Sequence, residues 1–337
     1  MDLTTTYLGL DLRTPLVASA SPLSQNVDGV RRLADSGVGA VVLFSLFEEQ
    51  LRAEVARETA LLESHENSFA EALDYFPATP ITTRSAAYSY LSLVERGAKA
   101  IDVPLIASLN GSDLGGWTHF AEQLEEAGAS ALELNIYFTP GDLTTPGDRV
   151  IARHLDIVAA VRGRVRIPVS VKMSPFFANP GNVALQIVDA GADGLVLFNR
   201  WQQPDIDIDT LQVATSVELS HPAEGRLPRT WIAALRHHTR ASLAATSGVE
   251  TADDIVKYLL AGADVVMTTS SLLRHGVSHV GVLLAGLEAW MTRKEFTSVD
   301  AVRGLLAVPT EIRSGTVQRA GYVAVLEKGK ELYGPFA

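Results

Sequence analysis

The sequence predicts a parallel α/β barrel, the (β/α)8 TIM barrel, and three observations carry that reading. A chain of 337 residues is long for one small domain and ordinary for one such barrel. One unit recurs, a helical segment that ends in glycine and runs at once into an apolar strand: LADSGVGAVVLFS (33–45), LEEAGASALELNI (124–136), IVDAGADGLVLFN (187–199) and LLAGADVVMTTS (259–270). Four further strand-like runs, PLVASA (15–20), PLIASLN (104–110), PVSVKM (168–173) and SLAATSG (242–248), bring the total to eight. An open doubly wound sheet is the competing architecture, and the early G-x-G-x-x-G turn that would favour it is missing.

Each element has a local reason. Glycine suits the left-handed residue that closes a helix. The strands are rich in Val and Leu, as expected when both faces of a parallel sheet are covered. Pro104 and Pro168 open their strands, where a missing N–H costs little. Two connections exceed plain loops. Residues 46–103 hold two helical patterns around YFPATPITT (75–83), and residues 200–229 read as loop with some strand character. Both follow strands, so both are expected over the C-terminal face of the barrel, as lids or substrate walls. The barrel is assigned residues 1–297, and a C-terminal helical extension, 298–337, lies outside the eight units, packed on the barrel or at a subunit interface.

Composition narrows the function. Apolar residues make up 47% of the chain, enough for a large core. A net charge of −11 without a basic run argues against nucleic acid. There is no cysteine, which excludes disulfides, Cys-ligated zinc and iron–sulfur clusters in these residues. No metal ligands are assigned. The start, MDLTTTYLGL, has no secretory pattern, and no apolar run has the length of a membrane span, so a soluble cytoplasmic protein is the expectation.

In such a barrel the chemistry sits where strands end. The polar residues there are Ser19 and Ser21 after the first strand, Ser45 after the second, Asn110 after the third and Asn135 after the fourth. Lys172 lies in the fifth, Asn199 follows the sixth, Thr246 and Ser247 the seventh, and Thr268, Thr269 and Ser270 the eighth. Asparagine has poor strand propensity, yet three strands end in it. One alone can be a turn or helix cap; three at one level favour a ligand with amide or heterocycle edges. Lys172 either snorkels to the mouth or pairs with an anionic or electron-rich ligand. ATSGVETADD (245–254) and TTSSLLRHG (268–276) put hydroxyls and helix starts after the last two strands, with Thr251 as an N-cap. That is the usual phosphate grip of the fold.

These residues resemble the FMN-binding barrel of the dihydroorotate dehydrogenases and the related domain of dihydropyrimidine dehydrogenase. The resemblance runs from LRTPLVASAS (12–21) to LLRHG (272–276) and is carried by GASALELNI, PVSVKMSP, LVLFN, ATSGVET and MTTSSL. It implies FMN as cofactor, with Lys172 near the electron-rich end of the flavin ring, Asn110 touching the ring, and Asn135 and Asn199 facing flavin and substrate. Ala20, Ser21 and Ser45 join the cofactor site, and backbone N–H groups around Ser247, Gly248, Thr269 and Ser270, with Thr246, hold the phosphate. It also implies a small-molecule substrate of pyrimidine type, a diffusible electron donor or acceptor, and a homodimer.

Two departures stand out. The resemblance expects a Cys or Ser base three residues after the strand-four asparagine, and Phe138 stands there. A phenyl ring accepts no proton. Tyr137 and Thr139 are the neighbours with labile protons and the candidate catalytic groups, although Tyr137 and Phe138 can equally pack under a lid. A phenol of ordinary pKa, about 10, suits an acid better than a base. The second flavin-side lysine expected after strand two is replaced by Phe44. The expected activity is therefore hydride transfer between FMN and a small unsaturated or dihydro ring, with dihydroorotate itself a poor substrate. A binding barrel without turnover and an aldolase using Lys172 as a Schiff base are the alternatives.

Overall fold

The computed structural model describes residues 1–50, 86–111, 117–136, 143–200, 204–214, 217–310 and 314–334. Eight parallel strands close on themselves: β1 (Leu16–Ala18), β2 (Ala40–Val42), β3 (Leu105–Gly111), β4 (Ala131–Ile136), β5 (Val169–Met173), β6 (Gly194–Leu197), β7 (Ser242–Ala245) and β8 (Val265–Thr268). Each pairs with its successor, and β8 pairs with β1 through Val266, Met267 and Thr268. The expected barrel is therefore present, with all eight strands in the expected order.

The surrounding helices are α1 (Val27–Asp35), α2 (Ala86–Ala100), α3 (Trp117–Glu126), α4 (Gly147–Arg162), α5 (Pro180–Asp189), α6 (Arg226–Leu235), α7 (Ala252–Ala261), α8 (Ser270–His275) and α9 (His279–Arg293). The glycines of the recurring unit, Gly37, Gly128, Gly191 and Gly262, have φ of 107°, 99°, 112° and 116°. All four occupy the left-handed region where a side chain is disfavoured, so each reverses the chain from helix into the next strand.

Two apolar layers follow from the strand period of two. Outward residues such as Leu132, Leu134, Val169, Val171 and Leu195 pack under the helices in the main core. A second cluster fills the inside of the barrel: Val17, Val42, Ile106, Val196, Ala244 and Met267, with Tyr7, Leu8 and Leu12. The last three come from an antiparallel N-terminal hairpin, Thr5–Tyr7 with Leu10–Leu12, that plugs the floor. The sequence pattern singled out no such hairpin.

The long connection after β6 carries a second hairpin, Asp205–Asp207 with Gln212–Ala214, and a 3-10 turn, Pro222–Gly225, leading into α6. The helix thus begins four residues inside the span expected to be loop. The C-terminal extension includes α10 (Val299–Val302), whose Val299 and Val302 are buried, and α11 (Ser314–Tyr333). Leu306 N–H donates to Leu260 O and Val308 N–H to Ala233 O, which ties the first part of the extension to α7 and α6. Among the described residues, no helix is long and apolar enough to cross a membrane.

Candidate active site

Strand register puts three of the expected residues in one row. Asn110 of β3 is paired with Asn135 of β4, and Asn135 with Lys172 of β5. The row two residues lower is Ser108, Glu133 and Ser170. Because alternate residues share a face, Glu133 and Asn135 both point inward while Leu132, Leu134 and Ile136 face the helices.

Lys172 is the cation of this site. Its ammonium lies 3.5 Å from Oε1 of Glu133 and 3.5 Å from Oγ of Ser19, with its side chain 11% exposed. Glu133 is 1% exposed, and its Oε2 has no hydrogen-bond partner among the described residues. Beneath it stands Tyr7, whose phenol is raised above its ordinary pKa, first by burial and second by the charge of Glu133. Glu133 is not among the residues that the strand-end pattern singled out. Its signal was the alternation in ALELN, which carries an acid to the same face as Asn135.

The asparagines are linked. Asn199 Nδ2 donates to Asn135 Oδ1 at 3.0 Å, and Asn135 is buried. Asn110 is half-buried, and its side chain makes no hydrogen bond among the described residues. Ser45 and Ser108 share a hydrogen bond of 2.9 Å. Ser21 accepts from Leu23 N–H at 3.2 Å and caps a 3-10 turn, Pro22–Ser24, while Ala20 packs against the inner cluster.

The loops after β7 and β8 form one hydroxyl-rich surface. Thr246 donates to the carbonyl of Phe198 at 2.5 Å. Ser247 and Gly248 follow with φ of 75° and 65°. A Cβ on Gly248 would lie 2.6 Å from the His221 carbonyl oxygen, so only glycine lets the turn approach that loop. Gly248 N–H donates to Ser220 Oγ at 3.2 Å, and Ser220 in turn donates through N–H and hydroxyl to Ser270 Oγ. Ser270 accepts twice there, which leaves its own proton to donate. Thr269 donates to the Ser19 carbonyl at 3.0 Å. Thr251 caps α7 as expected, in a capping box with Asp254. Behind the surface, Glu250 accepts from Arg274 at 2.5 Å and His275 at 2.6 Å. Burial alone would raise that carboxyl; the two donors outweigh it and hold it below its ordinary range. Ser220 and Arg274 were not foreseen.

The dihydroorotate dehydrogenase family profile matches residues 81–291, more than half of the chain and six of its eight strands from β3 onward. The chain belongs to the dihydroorotate dehydrogenase family. It is 25% identical over 312 residues to the dihydroorotate dehydrogenase B (NAD(+)) catalytic subunit of Thermoplasma acidophilum, covering 90% of this chain and 98% of that one. It is 24% identical over 331 residues to the chloroplastic dihydropyrimidine dehydrogenase (NADP(+)) of Arabidopsis thaliana, covering 90% of this chain and 76% of that one. The NAD-dependent dihydropyrimidine dehydrogenase subunit PreA of Escherichia coli K12 is 24% identical over 321 residues, with the same two coverages, 90% and 76%. The family is one of oxidoreductases.

Within this dihydroorotate dehydrogenase family barrel, Phe44 stands where a lysine was expected. Its ring meets Tyr90 edge-on at 5.2 Å in the outer core. The candidate catalytic residues Tyr137 and Thr139, and Phe138 between them, lie outside the described residues. Beside Asn199 and Ser247 a cavity of about 900 Å³ opens, lined also by Phe176, Arg200, Glu224 and Arg226. Arg200 Nε and Glu224 Oε2 pair across 3.0 Å in its wall.

Proposed function

We propose that the protein is an FMN-dependent oxidoreductase acting on a CH–CH bond of a small ring, with dihydroorotate a poor substrate. The observation that carries this reading is the row Asn110, Asn135 and Lys172, with its part-buried ammonium, at the C-terminal end of a barrel of this family. A lysine so deeply set has two long contacts for three donors, which leaves donor capacity for an electron-rich ring above it. The hydroxyls of Ser247 and Ser270 and the left-handed turn at Gly248 suit a phosphate. These residues fit FMN.

When bound, FMN supplies reversible hydride chemistry, and the protein supplies position and electrostatics. Lys172 places positive charge against the electron-rich ring. Asn135 and Asn199, fixed against each other, present their remaining amide groups to a heterocycle edge. The cavity beside Asn199 gives a small substrate room and a charged wall. The 337 residues contain no cysteine, so electrons pass to or from a diffusible partner or another protein rather than an iron–sulfur centre of this chain. Phe138 stands where the family resemblance expects the base, and this supports a substrate other than dihydroorotate.

The test is anaerobic stopped-flow reduction of the FMN-loaded protein by dihydroorotate, dihydropyrimidines, NADH and NADPH. Fast reduction by one of the last three donors and slow reduction by dihydroorotate support the reading. Fast reduction by dihydroorotate alone overturns the substrate reading, and reduction by none of them favours a binding barrel.

A further inference from the structure

Glu133 is an acid where the fold has least reason to keep one. It sits inside the barrel, between Ser108 and Ser170 in register, over a floor of Tyr7, Leu8, Val17, Val42 and Ile106. Only 1% of it is exposed, one oxygen has no partner among the described residues, and the other reaches Lys172 only at 3.5 Å. An ion pair held this loosely is a poor source of stability, since desolvating the carboxylate costs more than so long a contact returns. Yet the pair forms a column across two rows of the barrel, with Glu133 in the lower row and Lys172 in the upper one, in strand register with Asn135 and, through it, Asn110.

We propose that Glu133 is a positioning residue that offsets the charge of Lys172 and so sets how strongly the barrel mouth holds an anionic ring. The inference rests on the FMN reading for its effect on a cofactor, but the pairing itself does not. With both groups charged, the column is neutral overall, and a ring at the mouth meets a cation tempered from beneath. Glu133→Gln keeps the shape and removes the negative charge, so the mouth becomes more positive. Lys172→Met does the reverse.

The signs make this testable. In FMN-loaded protein, Glu133→Gln shifts the ratio of oxidised to reduced FMN dissociation constants about tenfold toward the reduced, anionic form, and Lys172→Met about tenfold the other way. The double variant returns near the parent. A residue that merely fills space predicts no shift in midpoint potential from Glu133→Gln, or a shift in the same direction as Lys172→Met, and either result overturns the proposal. Thermal unfolding of flavin-free protein checks the pairing separately. Lys172→Met strands a buried carboxylate and lowers Tm, and adding Glu133→Gln restores it. If Lys172→Met does not fold, recovery of folding in the double variant supports the pairing equally, and failure to recover overturns it. Additive losses of stability overturn the pairing, whether or not FMN binds.

Discussion

Asn199 donates through Nδ2 to Oδ1 of Asn135 at 3.0 Å, joining the end of β6 to the end of β4 across the barrel mouth. Asn135 is 7% exposed, so its oxygen depends on that donor. Asn199→Ala leaves a buried acceptor unpaired and costs about 1–3 kcal/mol in urea unfolding. Asn199→Asp sets oxygen against oxygen and is at least as damaging. A neutral outcome for both would show that the amide pair contributes nothing to the mouth.

The opposite end of the barrel has its own clamp. Asp264, just before β8, pairs with Arg236 at 2.9 Å and Arg303 at 3.4 Å and accepts from Leu243 N–H at 2.8 Å. Asp264→Asn removes both ion pairs while keeping one acceptor, and breaking a buried pair costs about 3 kcal/mol. The site lies at the other end of the strands, so chemical denaturation is expected to show the loss while FMN content stays as in the parent. Loss of flavin without loss of stability would contradict this division between the two ends.

How far the sequence carried depended on whether a residue's role was local. The helix-ending glycines, the proline-led strands and the Thr251 cap follow from chain-neighbour geometry, and all stand in the structure. Lys172, Asn110 and Asn135 were recognisable because polar residues at apolar strand ends are conspicuous. Their sharing of one row is set by register, which no local pattern prints. Glu133 and the floor-plugging Tyr7 were missed because their meaning comes from residues distant in sequence. Ser220 gains its role from Gly248 and Ser270, 28 and 50 residues on.

His154 makes the stability of the fold depend on pH. It is buried in α4, its Nδ1 donates to the Val150 carbonyl at 2.7 Å, and Phe177 meets it edge-on at 5.3 Å. Desolvation by burial pushes its pKa below the ordinary 6.5. The unfolded chain therefore binds the proton more readily than the folded one. The stability linked to this neutral ring is full above about pH 6.5 and is lost as pH falls through the lower folded value. Against the parent, His154→Gln should flatten the fall in Tm below pH 6.5. An unchanged acid limb would mean that other groups carry it.

Phe138 bears on substrate choice. General-base assistance contributes about 10²–10⁴-fold, and that loss is expected when dihydroorotate reduces the loaded protein. Phe138→Cys restores a thiol of ordinary pKa about 8.5 and should recover only part of the rate. If the parent is already fast, Tyr137 and Thr139 are the residues to substitute first.

The proposed FMN is held without a covalent link, and its presence can be measured directly. Purified protein, or protein reconstituted with FMN and desalted, is denatured, and the supernatant is separated by chromatography and identified by mass. FMN approaching one per chain is the expected result, with markedly less retained by Lys172→Met. Well-folded protein that neither carries flavin nor takes it up would contradict it.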